Sequence, residues 1–351
     1  MSLDIIRKNI DRIDSKILNL LGYRMELVLM AKKFKSKIED IKREKQLLER
    51  IKRNSTRLIN GEFIDKVYNE ILIESKRLQK KDFKLIAFLG EHGAYGEIAS
   101  QNWNDNLVPI PCPGFTGVFE GVKTGVYDYG IVPVENTLGG VVGEVNELVI
   151  NTDLYVVGAI ELPIHHCLLA LPGTDHREIR FVYSHSQALS QCRHFLARNK
   201  LDPVPYNDTA GAAKMLAEET PKMSAAIASK LAAGLYHLEI IKEDIEDLDR
   251  NMTRFLVLSR EEAKKAGDKC SVLFSTEHKA GTLFSVLEVF AKERINLTRI
   301  ESIPNEPGNY AFFLDFVGSN RDEKVLRAME RVQGMTTGFR LLGCYKERKI
   351  A

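Results

Sequence analysis

Residues 3–31 read LDIIRKNIDRIDSKILNLLGYRMELVLMA, and the spacing of the apolar positions decides the fold of the first part of the chain. Leu3, Ile6, Ile10, Ile13, Ile17, Leu20, Leu21, Leu27, Val28 and Ala31 recur at i, i+3 and i+4, the period of an amphipathic helix. Arg7 and Arg24 on this helix are 17 residues apart, which at the α-helical rise is roughly 25 Å. Lys35 follows Arg24 by 11 residues, close to three full turns, and so shares its face about 16 Å further on. Cations beside a buried stripe cost desolvation energy unless anions meet them. Arg7 and Arg24 cannot reach one small ligand along one rigid helix. The spacing therefore predicts two helices crossing, each site completed by a cation from a second copy.

A second helix opens with Asp40, Arg43 and Glu44, which share a face at i+3 and i+4 spacing. A third, over about 62–80, carries Ser75 and Gln79 one turn apart beside Val67, Ile71 and Leu78. In order, Arg7, Arg24, Lys35, Asp40, Arg43, Glu44, Ser75 and Gln79 resemble the active-site set of the all-helical chorismate mutases, over residues 1–80. The resemblance implies a site for chorismate, a dicarboxylate held in a compact chair while a carbon–oxygen bond breaks and a carbon–carbon bond forms. No covalent catalyst is needed, only a restricted conformer and stabilised charge on the ether oxygen. Arginine forks suit the carboxylates. By the resemblance Lys35 and Gln79 donate to the ether oxygen, and Glu44 and Asp40 hold the hydroxyl end. The alternative is a basic, solvated helical hairpin.

The composition narrows the classes. The chain has 351 residues, 44% of them hydrophobic, enough for two or three domains with real cores. Its net charge of +2 hides an asymmetry: residues 1–82 hold 21 Lys and Arg against 13 Asp and Glu, the remainder 29 against 35. A basic front end admits nucleic acid, but this one has no Trp and no zinc or helix-turn-helix pattern. Dianionic small molecules explain it better, so no nucleic-acid partner is expected. Cys112, Cys167, Cys192, Cys270 and Cys344 are odd in number and lack any CxxC, and read as reduced thiols of a cytoplasmic protein. Asp4 and Arg7 interrupt any signal-peptide run, and nothing approaches a membrane span.

Beyond residue 84 short apolar strands alternate with helices, the pattern of α/β layering with ligands at strand carboxyl ends. Strands are expected at Leu85–Leu89, Tyr129–Val134, Leu154–Ile160, His166–Ala170, Arg180–Tyr183, Ser224–Ala228 and Thr253–Leu258. Gly90-Glu91-His92-Gly93-Ala94-Tyr95-Gly96 has the spacing GxxGxxG and is no dinucleotide fingerprint. Polar runs fall mostly at strand ends: Val132-Pro133-Val134-Glu135-Asn136-Thr137, Tyr183-Ser184-His185-Ser186-Gln187 with Gln191, and Asp208-Thr209-Ala210-Gly211, while Thr253-Arg254-Phe255, preceded by Asn251-Met252, opens a strand. These resemble the signatures of the prephenate dehydratases, over about residues 84–260. That implies conversion of prephenate to phenylpyruvate with loss of carbon dioxide and the ring hydroxyl, driven by aromatisation. By the resemblance Thr253 is the donor to the departing hydroxyl, with a relay from Glu135 or Asp208. Arg254 holds a carboxylate, and Asn136, Thr137, Gln191, Thr209 and Phe255 shape the substrate site. Phe255 could instead be core, Asn136 or Thr137 could cap the next helix, and Arg254 could pair within its own chain. His165 and His166, adjacent on a strand, point to opposite faces and cannot chelate one ion together; His166 is read as scaffold. No metal and no cofactor are expected.

Residues 269–351 read strand, helix, two strands, helix, strand, the βαββαβ split ferredoxin-like order. Gly281-Thr282-Leu283-Phe284 and Glu301-Ser302-Ile303-Pro304 resemble the phenylalanine-binding motifs of ACT regulatory domains, with Ile303 where an Arg is usual. An amino-acid carboxylate suits the helix N-terminus after Gly281; the alternative is an assembly module without ligand.

Together these resemblances imply a multidomain chain: an all-α helical chorismate mutase domain (1–82), a two-lobed α/β periplasmic-binding-like dehydratase domain (83–262) and an α+β ferredoxin-like ACT domain (268–351). The expected protein is a bifunctional isomerase and lyase of phenylalanine biosynthesis, inhibited by phenylalanine, and a homodimer or dimer of dimers. A chain ended near Glu262 is expected to keep dehydratase turnover without a phenylalanine response. The alternatives are arogenate as second substrate, or a non-catalytic amino-acid sensor.

Overall fold

The computed structural model describes residues 3–277, 279–306 and 309–350. The chain divides into two compact units at Lys84/Leu85.

The first unit is three helices, α1 (Leu3–Lys32), α2 (Ile41–Lys52) and α3 (Gly61–Lys80). Asp40 caps α2 by accepting from the Arg43 N–H, and Asn60 caps α3 through Phe63 N–H, each satisfying an orphan amide of the first turn. Leu29 and Ile64 are buried, but Ile10, Ile13, Ile17 and Leu20 of the apolar stripe are all more than half exposed.

The second unit holds three sheets. In the first lobe β1 (Leu85–Leu89), α4 (Tyr95–Trp103), β2 (Val108–Cys112), α5 (Phe115–Thr124) and β3 (Tyr129–Asn136) form a parallel βαβαβ run. The short β4 (Gly140–Val141), α6 (Gly143–Ile150) and β5 (Tyr155–Pro163) follow. The chain then crosses to a second lobe of β6 (Cys167–Ala170), β7 (Phe181–Ser184), α7 (Ser186–Gln191), α8 (Arg193–Arg198), β8 (Asp202–Pro205), α9 (Thr209–Glu219), β9 (Ser224–Ala228), α10 (Lys230–Leu235) and β10 (Glu239–Lys242). It returns as β11 (Met252–Ser259), antiparallel between β3 and β5. The two crossings hydrogen-bond to each other, Ile164 N–H to Asn251 O at 2.8 Å and Ile245 N–H to His166 O at 3.1 Å.

The third part runs β12 (Lys269–Ser275), α11 (Thr282–Lys292), β13 (Leu297–Glu306), β14 (Asn309–Val317), α12 (Glu323–Met335) and β15 (Thr337–Tyr345), with sheet order β13-β14-β12-β15. That is the expected βαββαβ order; Phe274, Phe290 and Phe316 fill the core between sheet and helices. The chain ends in β16 (Glu347–Lys349), a strand that adds in parallel to β5, at the edge of the first-lobe sheet.

The structure corrects the cysteine reading. Cys270 and Cys344 form a disulfide, because β12 and β15 are antiparallel neighbours that set the two directly opposite each other. A separation of 74 residues gives no sign of this in the sequence. Cys112, Cys167 and Cys192 are free and buried. Among the described residues no helix is long and apolar enough to cross a membrane.

Candidate active sites and regulatory pocket

In the helical unit the fold brings Arg24, Ser75 and Gln79 together between α1 and α3. Arg24 Nη1 donates to Ser75 Oγ at 2.7 Å, and Ser75 Oγ donates to Ile71 O at 2.6 Å. Gln79 Nε2 donates to Val28 O at 2.8 Å, so that part of its amide is already taken by the α1 backbone. Ser75 and Gln79 are buried polar groups, and such groups persist because they are hydrogen-bonded. Glu44 is held by Lys76 at 3.1 Å, a cation the sequence reading passed over although it follows Ser75 directly. Lys35 and Asp40 line one open cavity of about 590 Å³ with Phe34 and Glu39. Arg43 is exposed, and so is Arg7, near the far end of α1.

The dehydratase signatures converge where the two lobes meet. Asn136, at the end of β3, lies beside Thr253 on β11 through the pair Thr253↔Asn136. Asn136 Nδ2 donates to Thr253 Oγ1 at 2.9 Å and to Asn251 Oδ1 at 2.8 Å. From the second lobe, Gln187 and Gln191 each place Nε2 at 3.3 Å from Asn136 Oδ1. Gln191 Oε1 accepts from Asn251 Nδ2 and from His166 Nε2. Asn251, Gln187, His166 and Tyr95 were not among the expected site residues. The first two lay inside or beside the quoted signatures, and His166 opened an expected strand and was read as scaffold; none carried a signal of its own.

The turn before α4 closes the other side of the cleft. Tyr236 Oη donates to His92 O and Ser229 Oγ to Gly93 O. Gly93 has φ +91, and a Cβ there would meet Ala232 at 2.8 Å; only glycine serves both demands. Asp208 caps α9 through Gly211 N–H. Burial pushes its carboxyl above the usual range, against hydrogen bonds from the Gly211, Ala210 and Glu91 amides. Thr209, half-buried, opens α9 next to it.

Several sequence expectations change. Glu135 cannot relay a proton to Thr253: neighbours on a strand face opposite ways, and Glu135 turns from Asn136 toward Arg254 at 3.6 Å and Arg299 at 3.4 Å. Asp208 is occupied as a helix cap joining the lobes, and among the described contacts none links it to Thr253. Arg254 turns to carboxylates of its own chain. It is 3% exposed and meets Asp315 and Glu347 at 2.6 Å each, with Tyr345 Oη at 3.1 Å. Burial opposes its charge, yet Asp315, Tyr345 and Glu347 outweigh it and hold the guanidinium above its ordinary pKa. Phe255 is core, packed with Phe88, Ile131 and Ile160. Thr137 Oγ1 donates to Arg250 O and accepts from Met252 N–H, so it braces the loop before β11.

In the third part a cavity of about 360 Å³ is lined by Gly281, Thr282, Leu283 and Phe284 together with Lys279 and Tyr310. Gly281 precedes α11 with φ +89. Glu301 and Ser302 lie on β13 and outside this lining; Ile303 is buried.

Comparison with known proteins agrees with this division of labour. Residues 6–80 match the family model of chorismate mutase type II, residues 86–263 that of prephenate dehydratase, and residues 271–334 that of the ACT domain. A bifunctional chorismate mutase/prephenate dehydratase of Aquifex aeolicus (strain VF5) is 36% identical over 97% of this chain and 96% of its own length. The chain belongs to the bifunctional chorismate mutase/prephenate dehydratase family. An Arabidopsis thaliana protein, arogenate dehydratase/prephenate dehydratase 2, chloroplastic, is 38% identical over 74% of this chain and 72% of that one. Among solved structures, the prephenate dehydratase of Arthrobacter aurescens in complex with L-Phe is 30% identical, with TM-score 0.70, covering 75% of this chain and 89% of that chain. The helical unit, the two-lobed domain and the βαββαβ part of this chain match the three family models in that order.

Proposed function

We propose that the helical unit rearranges chorismate to prephenate and the two-lobed domain converts prephenate to phenylpyruvate, under control of phenylalanine bound to the ACT domain. One observation carries the dehydratase reading: Asn136 Nδ2 donates to Thr253 Oγ1. Because Thr253 accepts there, its own hydroxyl hydrogen stays available for the departing ring hydroxyl. The carboxylate's bond to the ring breaks, carbon dioxide leaves, the freed electron pair completes the aromatic system, and the ring hydroxyl departs as hydroxide held by the Thr253 hydrogen bond and is protonated to water from solvent. A threonine hydroxyl is a weak acid, so its part is a positioned donor rather than a reservoir. Asn136, Gln191 and Thr209 are read as orienting groups, while Glu135 and Arg254 act from behind the site.

In the mutase, Arg7, Arg24, Lys35 and Arg43 are read as anchors for the two carboxylates and the ether oxygen, with Gln79, Ser75, Asp40 and Glu44 completing the set. The exposed stripe on α1 and the helix length between Arg7 and Arg24 support a homodimer with shared sites, or a dimer of such dimers. The domain limits 1–82, 83–262 and 268–351 belong to the same reading. So does a cytoplasmic location, which the three free buried thiols support and the Cys270–Cys344 disulfide opposes. Prephenate is favoured over arogenate because it is the product of the unit's own mutase. A purely sensing role leaves the Asn136–Thr253 pair without a task. The test is to incubate the purified protein with chorismate alone and follow phenylpyruvate, with and without phenylalanine. Phenylpyruvate that forms, and falls when phenylalanine is added, supports all three assignments; prephenate accumulating without phenylpyruvate would remove the second.

A further inference from the structure

The hydrogen-bond directions around Thr253 trace back to one buried ring. Asn136 Oδ1 accepts from Leu138 N–H at 3.0 Å and Gly139 N–H at 2.7 Å. Backbone amides only donate, so the carbonyl end of Asn136 is fixed, and its NH2 must face Thr253. Gln191 offers Nε2 to that same oxygen, which leaves Gln191 Oε1 facing Asn251 Nδ2 at 3.0 Å and His166 Nε2 at 2.8 Å. His166 therefore has to donate through Nε2. It is 2% exposed, and burial holds its pKa below the ordinary value, against the Gln191 bond and the nearby Glu246 charge. At neutral pH it has one ring N–H, and the geometry assigns that hydrogen to Gln191. On the other side, the Tyr95 hydroxyl donates to His165 O at 2.5 Å and lies 3.0 Å from His166 Nδ1, which this tautomer leaves as an acceptor, so its one hydrogen is shared between the two. His166 also lies where the chain passes from the first lobe to the second.

We propose that His166 is a positioning residue of the dehydratase: its Nε2–H holds the Gln191 amide, which with Asn251 buttresses the Asn136 side chain, already turned toward Thr253 by the Leu138 and Gly139 amides, at its place beside the Thr253 hydroxyl. The inference rests on the reading of Thr253 as donor. Without an Nε2–H at this point, the Gln191 carbonyl loses one of its two donors and keeps only Asn251 Nδ2. A turned Gln191 would set carbonyl against the Asn136 carbonyl and NH2 against the Asn251 NH2, and each mismatch costs a buried hydrogen bond.

Two isosteric fragments of the ring separate positioning from packing. In the full-length protein, His166→Gln keeps an amide donor near the place of Nε2, whereas His166→Asn keeps one near Nδ1 and cannot reach Gln191. Dehydratase kcat of His166→Gln is expected within about threefold of the natural chain. His166→Asn is expected to lose on the order of 10- to 100-fold in kcat, the effect of a buried hydrogen bond lost from the transition state, with KM within about threefold. Equal kcat for the two variants, whether both are normal or both impaired, overturns the proposal, as does a loss expressed in KM alone. Thr253→Ala, assayed alongside, keeps the two readings apart. If Thr253→Ala turns over normally, the donor assignment itself fails; if it is inactive while the His166 variants are alike, only the positioning role fails.

Discussion

The Arg254 guanidinium and the Asp315 carboxylate meet at 2.6 Å with their side chains 3% and 0% exposed. One belongs to the strand that carries Thr253, the other to β14 of the ACT fold. Around them Glu347 bridges Arg254 and Lys269. Ser271 Oγ donates to Asp315, and Tyr345 Oη meets Ser271 Oγ and accepts from Arg254 Nη2. Arg299, stacked over Phe313 at 4.5 Å, reaches Asn146 and Glu135. Breaking a buried pair from one side leaves an uncompensated charge. Asp315→Ala is therefore expected to lower the stability of the Leu85–Ala351 unit by about 3 kcal/mol, read as a shift of the urea midpoint. A midpoint unchanged from the natural chain would mean that Glu347 alone satisfies Arg254.

The same contacts reverse an expectation about truncation. A chain ended at Glu262 lacks Asp315, Glu347 and the edge strand β16 on β5, leaving Arg254 without its buried partners. It is expected to lose most dehydratase turnover as well as the phenylalanine response, while the mutase in the separate helical unit continues. Normal phenylpyruvate formation by the shortened chain would show that the network is dispensable.

Thr253→Ala should lower dehydratase turnover by ~10²–10⁴-fold, the range for removing a positioned proton donor. Mutase activity should stay within about twofold, because its residues belong to a separate compact unit and share no partners with Thr253. The two rates are measured on one preparation, so a general folding defect would show in both.

Arg7→Ala and Arg24→Ala, each nearly inactive as a mutase, should recover part of the activity when unfolded together and refolded as a mixture. In an antiparallel pair with swapped cations, one hybrid site keeps both arginines. A mixture no more active than its components, by chorismate consumption, argues against shared sites.

Gly281→Val should abolish phenylalanine binding. The position has φ +89, where a β-branched residue is strained, and the added carbons enter the cavity before α11. Titration calorimetry with millimolar phenylalanine checks this; an unchanged heat would move the effector site elsewhere.

The His166 imidazole adds a pH signature. Its folded-state pKa is lowered by burial from 6.5, so the folded form binds its proton less readily than the unfolded form. Its stabilising contribution is full above about pH 6.5 and is lost as pH falls toward the folded pKa. Thermal midpoints of the natural chain should decline through that window, and His166→Gln should flatten this component.

Much of this was open to reading along the chain. The period of 3.6 in residues 3–31, the βαββαβ order after residue 269 and the four polar runs at strand ends are local patterns, and the structure contains each. Two strands were harder. β2 and β8 each carry two prolines, which read as breaks; both lie at sheet edges, where a missing N–H costs no ladder bond. Alternation along a strand was legible too, and it separates Asn136 and Thr253 from Glu135 and Arg254, although the family signatures group all four.

The order of residues by itself determined the classes of element, the three kinds of domain and the presence of Asn136, Gln191 and Thr253, because helical period, strand alternation and capping act over a few residues. Only the tertiary structure decided that Arg254 is spent on Asp315 and Glu347, that Cys270 meets Cys344, that the final strand joins the dehydratase sheet, and that His166 stands behind Gln191. Those pairings join residues from 25 apart, His166 and Gln191, to 188 apart, Glu347 and Ala159 (347 − 159). They are set by which strands become neighbours, and that is chosen by the burial of whole sheet faces rather than by any local pattern.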